Sequence, residues 1–124
     1  MKKTLFSSEI IILLLAIAVL GWLSARKFTV IRAEAASAAT QEGKLMLQDA
    51  VNVYRYDHEG RCPSSLKDLI PEYLEEIPHT YQTLTRHTNS VKYGLPETDF
   101  DAKGGWIFVN KEDHPNHCQV FLNI

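Results

Sequence analysis

The 124 residues include only two cysteines, five prolines and six glycines, and their distribution leaves long stretches with none of the three. No proline occurs between Arg32 and Pro63, and Gly43 is the only glycine between Arg32 and Gly60, so nothing there interrupts a helix. No charged residue lies between Ile10 and Ala25, which excludes an ordinary surface segment over that stretch. An excess of basic charge is also missing. Lys+Arg number 13 against 15 Asp+Glu, for a formal charge of −2, and this leaves no basic surface suited to a dedicated nucleic-acid binder. There is no Gly-rich phosphate loop, no metalloprotease helix motif and no nucleophile elbow, so the chain is not expected to be an enzyme.

What remains is a greasy peg and a small acidic head. Beyond residue 25 the chain holds 11 basic residues, all but Lys2 and Lys3, against 14 acidic ones, all but Glu9, for a net of −3. The division expected is a membrane and assembly segment over residues 1–25 and a soluble head over 26–124. The apolar segment rests on Ile10, Ile11, Ile12, Leu13, Leu14, Leu15, Ile17, Val19, Leu20, Trp22 and Leu23. Its sixteen uncharged residues span roughly 24 Å as a helix, a little short of a bilayer core of about 30 Å.

The peg admits three readings. A secretory signal has the right basic start, but Leu23-Ser24-Ala25 is a poor cleavage site, and Ala33-Glu34-Ala35 and Ala36-Ser37-Ala38 lie far beyond the apolar run. An uncut anchor that recruits Thr4 to Ser8 places Glu9 at membrane depth, where a carboxylate costs a few kcal/mol and is usually functional. The third reading is a helix stored first in a membrane and later in a protein assembly, and Glu9 favours it. Lys2 and Lys3 flank one side and Arg26, Lys27 and Arg32 the other, so charge alone leaves the orientation open. The cysteines favour a head outside the cytoplasm.

Past Arg32, alanines at 33, 35, 36, 38 and 39 supply helix propensity. Ala36, Ala39, Gly43, Leu47, Ala50, Val51 and Tyr54 fall on one helical face, with polar residues on most of the rest. One helix is therefore expected from about residue 5 to about residue 57, on the order of 75 Å long. Its first half is apolar all round and its second half amphipathic. Gly60 suits a left-handed cap. Ser65-Leu66-Lys67-Asp68 reads as a capping box opening a short helix that Pro71 interrupts. Beyond Pro78 the period becomes two. The strand candidates are residues 81–85, 91–93, 106–109 and 118–122, and their succession without helices between them argues an antiparallel sheet. The fold class expected is α+β: a long N-terminal helix packed against a small antiparallel sheet.

The run from Leu47 through Tyr54, Tyr56, Asp57, Gly60, Cys62, Pro63 and Leu66, continuing through Leu69, Pro71, Tyr73-Leu74 and Ile77-Pro78, resembles the type IV pilin-like proteins. Within that family it is most similar to the major pseudopilin of type II secretion. Gly104-Gly105-Trp106 and the closing stretch Val120 to Asn123 resemble the ending common in such proteins. The resemblance implies a structural subunit, major or minor, of a pilus-like or secretion filament. It also implies a single-pass bacterial inner-membrane anchor before assembly, with the head outside the cytoplasm, and a periplasmic or cell-surface filament afterwards. Its partners are other pilin-like subunits, an inner-membrane platform protein, an assembly ATPase and membrane lipid. The alternative is a tethered extracytoplasmic binding or adaptor domain that never polymerises.

The start departs from the family. Its members carry a Gly followed by Phe-Thr-Leu-Ile-Glu and are cut after that Gly. Here Phe6-Ser7-Ser8-Glu9 follows Leu5, with one residue fewer before the Glu and no Gly before Gly21. Glu9 is the approximate counterpart of the assembly glutamate, which in the family neutralises a neighbour's N-terminal amine.

Cys62 and Cys118 form an even pair, read as a disulfide in an exported head; the alternative is two buried thiols. Closing 56 residues contributes roughly 4 kcal/mol in the chain-entropy model. His114, His117 and Cys118, with Asp113, have metal-compatible spacing around a Pro-Asn turn, but no second Cys-His set lies nearby and exposed turn residues are the better account. Glu97, Asp99 and Asp101 alternate in a loop. The resemblance raises calcium for them, while the three carboxylates alone form no recognisable ligand loop.

Overall fold

The structure is a computed structural model that describes residues 2–83 and 85–124, with side chains from residue 7 onward. Its elements are α1 (Lys2–Asp57), a 3-10 turn (Leu66–Leu69), β1 (Thr80–Tyr81), β2 (His87–Thr88), β3 (Val91–Tyr93), α2 (Pro96–Asp99), β4 (Trp106–Phe108) and β5 (Val120–Leu122). The chain divides into two compact units, Met1–Glu34 and Ala35–Ile124. The architecture is α+β, with one long helix and a small sheet region.

In the second unit α1 buries one face. Leu47 and Val51 have no exposed surface, and with Ala50 they join Leu66, Leu69, Ile77, Trp106, Phe108, Cys118 and Val120 in the core. The buried stripe runs through Ala36, Thr40, Gly43, Leu47, Ala50 and Val51 to half-buried Tyr54. Ala39, expected on this face, is exposed, and Thr40 replaces it. The reason is polar. Thr40 Oγ1 donates to Ala36 O at 2.9 Å and accepts from Tyr81 N–H at 2.8 Å, so it satisfies the backbone of β1 where an alanine offers nothing. Gly43 suits a close approach, because a Cβ there would sit 3.0 Å from Pro78 Cβ and 3.5 Å from the Trp106 ring, and Pro78 would have to shift to admit it.

The sheet differs from the expected antiparallel arrangement. β1 and β2 form a separate two-stranded antiparallel pair, and β3-β4-β5 form a mixed sheet. β3 pairs with β4 in parallel, Val91 opposite Trp106, and β4 pairs with β5 antiparallel, Trp106 opposite Leu122. A parallel pair needs a crossover connection. The segment from Gly94 to Gly105 supplies it, and contains α2, a turn opened by Pro96 whose Asp99 carboxylate accepts from Leu95 N–H at 2.8 Å. All three residues of β4, the central strand, are buried.

Local chemistry refines other expectations. Strand 81–85 contracts to Thr80–Tyr81, with Leu84 outside the described residues, and strand 118–122 begins only at Val120. The capping box is present: Ser65 Oγ accepts from Lys67 N–H and Asp68 from Ser65 N–H. It opens a single 3-10 turn, not an α-helix, because Pro71 leaves room for no more. The first left-handed residue after α1 is Glu59, two residues beyond Asp57 and at φ 58°, followed by Gly60 at φ 83°. Gly60 N–H reaches back to Arg55 O at 2.7 Å, the long bond of a Schellman cap.

A side chain at φ 58° is strained, and a carboxylate beside a helix C-terminus opposes the helix dipole. Glu59→Gly is expected to stabilise the head by about 1 kcal/mol. Gly60→Ala is expected to cost about the same, since nothing crowds its Cβ and only backbone strain acts. Thermal melts read both as opposite shifts of roughly 4–8 °C. A Glu59→Gly variant no more stable than the parent would remove the strain from this account.

Candidate functional site

Two regions carry unusual chemistry, and each is described within its own unit. In the first, every described side chain from Ser7 to Glu34 is exposed. Ile10 is 45% exposed, Ile12 67% and Leu20 64%, and the neighbouring Ile, Leu and Val residues behave alike on all sides of the helix. The best 18-residue window has a mean hydropathy of 2.2, so the segment has the length and composition of a membrane-crossing helix, and equally of a signal sequence. Two of its hydroxyls are served within the helix: Ser24 Oγ donates to Leu20 O and Thr29 Oγ1 to Arg26 O, both at 2.8 Å. Such back-bonding lets a hydroxyl sit in an apolar environment. Arg26 covers the Trp22 ring at 4.2 Å, a cation–aromatic pair suited to a membrane interface. Glu9 is exposed on this helix, one residue before the apolar run.

In the second unit, Cys62 and Cys118 are joined as a disulfide with Cα atoms 5.8 Å apart. The bond ties the loop after α1 to the segment entering β5. Cys118 is buried and left-handed at φ 68°. Its conformation is held by N–H to Val109 O at 2.9 Å and by its own carbonyl, which accepts from Gln48 Nε2 at 3.2 Å. Gln48 also accepts from Val120 N–H at 3.0 Å, so one helix side chain clamps the backbone at both ends of the turn into β5. The sequence reading missed Gln48, because a glutamine on a helix flank gives no signal of the strand it will meet.

His117 stands against the disulfide. One of its ring nitrogens and both Sγ atoms lie within 4.8 Å of one another, the one group of His, Cys, Asp or Glu side chains among the described residues close enough to share an ion. His114 is not part of it, and its Nδ1 accepts from Asn116 N–H instead. The spacing of His114, His117 and Cys118 with Asp113 does not carry through to a shared group among the described residues. Turn geometry separates the two histidines, while the fold brings Cys62 in from 56 residues away. His117 Nδ1 is buried and makes no hydrogen bond, which costs on the order of 1–3 kcal/mol. A cleft of ≈ 470 Å³ lined by Arg61, Cys62, Ser64, Asn110, Glu112 and His117 opens on one side. A second of ≈ 420 Å³, lined by Gln48, Arg55, His117 and Cys118 among others, opens on the other.

The acidic loop is occupied by its own chain. Glu97 and Asp99 lie in α2, and the Asp99 carboxylate takes Leu95 N–H and then the Thr98 hydroxyl, which together hold its pKa below the usual range. Asp101 pairs with Lys92 Nζ at 2.6 Å and Lys103 Nζ at 3.3 Å, and accepts from Asn123 Nδ2 at 2.8 Å. The three carboxylates do not converge. Asn123 itself is buried and takes Asp101 N–H on its Oδ1, so the loop is pinned to the chain's last residues.

Compared with family models, with curated proteins and with solved structures, the chain matches none.

Lys92, followed by Asn123, holds the Asp101 carboxyl well below the ordinary carboxylate pKa. The unfolded chain therefore binds more protons than the folded one below pH about 3.9. The stabilisation is complete above that value and is lost as pH falls toward the folded pKa. Asp101→Asn is expected to flatten the acid limb of the stability curve between about pH 4 and pH 2. Urea unfolding across that window measures it, and parallel curves for parent and variant would exclude Asp101 as a source of acid sensitivity.

Proposed function

We propose that this protein is a pilin-like filament subunit, of the pseudopilin type, stored in a bacterial inner membrane before assembly. One observation carries the reading. α1 is a single element, Lys2–Asp57, that is apolar and uncovered on all sides from Ile10 to Leu23 and buries a continuous stripe from Ala36 to Val51 under the head. A signal peptide has no need of a helix that continues into the folded domain, whereas a subunit that trades lipid for neighbouring helices does. Transfer from bilayer to helical bundle keeps the apolar residues out of water throughout. Repeating one such contact with a rotation that does not close gives a filament.

The disulfide supports a head in an oxidising compartment, outside the cytoplasm. Glu9 supplies the register. A carboxylate entering a low-dielectric bundle needs a cationic partner, and a neighbouring subunit's N-terminal amine answers that need. Further partners on this reading are an inner-membrane platform protein and an assembly ATPase. The chain has no catalytic role in this scheme.

Phe6-Ser7-Ser8-Glu9, with no glycine ahead of it, favours a second reading in which the chain stays tethered and never polymerises. Glu9→Ala separates the two. Membrane insertion is expected to persist while incorporation into sheared or cross-linked filaments falls at least tenfold. Filament yield equal to the parent would end the role of Glu9. Failure to recover polymers from the parent itself, with an uncut N-terminus by intact mass, would shift the assignment to the tethered domain.

A further inference from the structure

The disulfide and His117 form a constellation that the filament reading does not use. Cys62, His117 and Cys118 place two sulfurs and an imidazole nitrogen within 4.8 Å of one another, and two clefts are lined by members of the group. A tetrahedral zinc site with Zn–S bonds of about 2.3 Å requires ligand sulfurs about 3.8 Å apart, a separation that side-chain rotation at Cα atoms 5.8 Å apart can supply. Two thiolates also neutralise the ion, so the site forms in the half-buried setting without an unpaired charge. The second observation is the ring itself: His117 Nδ1 is shut from water without a hydrogen bond, on the residue that shares this group with the sulfurs.

We propose that the head carries a redox-gated zinc site, in which Cys62, Cys118 and His117 bind the ion once the disulfide is reduced. The chemistry balances with a dithiol as reductant. Its two electrons and two protons pass to the Cys62–Cys118 bond, and the dithiol becomes a disulfide. Zinc then displaces both thiol protons to solvent and forms two Zn–S bonds and one Zn–N bond, with water from the cleft in the fourth position. Metal and disulfide are thus alternative staples across the same 56-residue separation. Zinc holds the segment entering β5 to the loop after α1 under conditions that would otherwise release it.

The test uses the full chain in detergent micelles, reduced with a phosphine and titrated with cobalt(II) as a spectroscopic stand-in for zinc. One cobalt per chain is expected, with a thiolate-to-metal charge-transfer band and tetrahedral visible bands that zinc abolishes and reoxidation prevents. His117→Ala is expected to weaken cobalt at least tenfold, whereas His114→Ala leaves it unchanged. Zinc is also expected to raise the melting temperature of the reduced chain but not of the oxidised one. A reduced chain without the charge-transfer band overturns the proposal. So does equal affinity in His117→Ala, which would mean an unstructured dithiol, or a zinc shift that is the same in both redox states.

Discussion

A sheet whose three strands are three residues each cannot bury both of its faces by itself, and the fold of the head depends on the surface α1 brings to it. Leu47 and Val51 are the centre of that contact, meeting Trp106, Phe108 and Val120 from the sheet and Leu66 and Leu69 from the 3-10 turn. The contact needs close approach, which Gly43 permits over Pro78 and Trp106. Trp106 in turn needs its indole N–H satisfied, and Pro78 O accepts it at 2.7 Å. Apolar packing, a missing Cβ and one buried hydrogen bond thus act at a single place.

Short strands leave much of their backbone unpaired, and buried side chains complete the pairing. Thr40 serves Tyr81, Thr80 joins Thr88 O to Gly105 N–H, and Asn123 gathers Asp101, Ala102 and Gly104. These are the three buried polar side chains of the core among the described residues, and each spans elements that the strand ladder does not connect. In a small domain with little apolar area, such clamps specify one arrangement where packing alone would allow several. Gln48 does the same work at the turn into β5, beside the disulfide. The region around Cys118 is thus held by a disulfide, by Gln48 and by Val109 O, which is consistent with a left-handed backbone at a residue other than glycine.

The apolar half of α1 obeys the opposite logic. Its described side chains from Ser7 to Glu34 are all exposed, and the Ser24 and Thr29 hydroxyls are turned back onto the helix. Such a surface is stable only in lipid or against other protein. On the proposed reading it meets both in turn, and the head need only be soluble and rigid enough to follow.

Much of this was legible in the linear chain. The absence of helix breakers, the uncharged run and the stripe from Ala36 to Tyr54 determine a long helix, because 3.6-residue periodicity is a local property. The Ser65–Asp68 cap is legible for the same reason, and the disulfide because the chain holds just two cysteines. Tertiary structure decided what local rules cannot reach. It made β3 and β4 parallel through the α2 crossover, chose Thr40 over Ala39 for burial because β1 needed an acceptor, and placed Glu59 in the cap position ahead of Gly60. It also dispersed the acidic triplet onto its own donors and assembled Cys62 with His117 and Cys118 across a separation of 56 residues between the cysteines. Sequence spacing states which residues share a helix face or a strand edge. Which unpaired backbone group or distant sulfur a side chain meets is set only when the chain closes on itself.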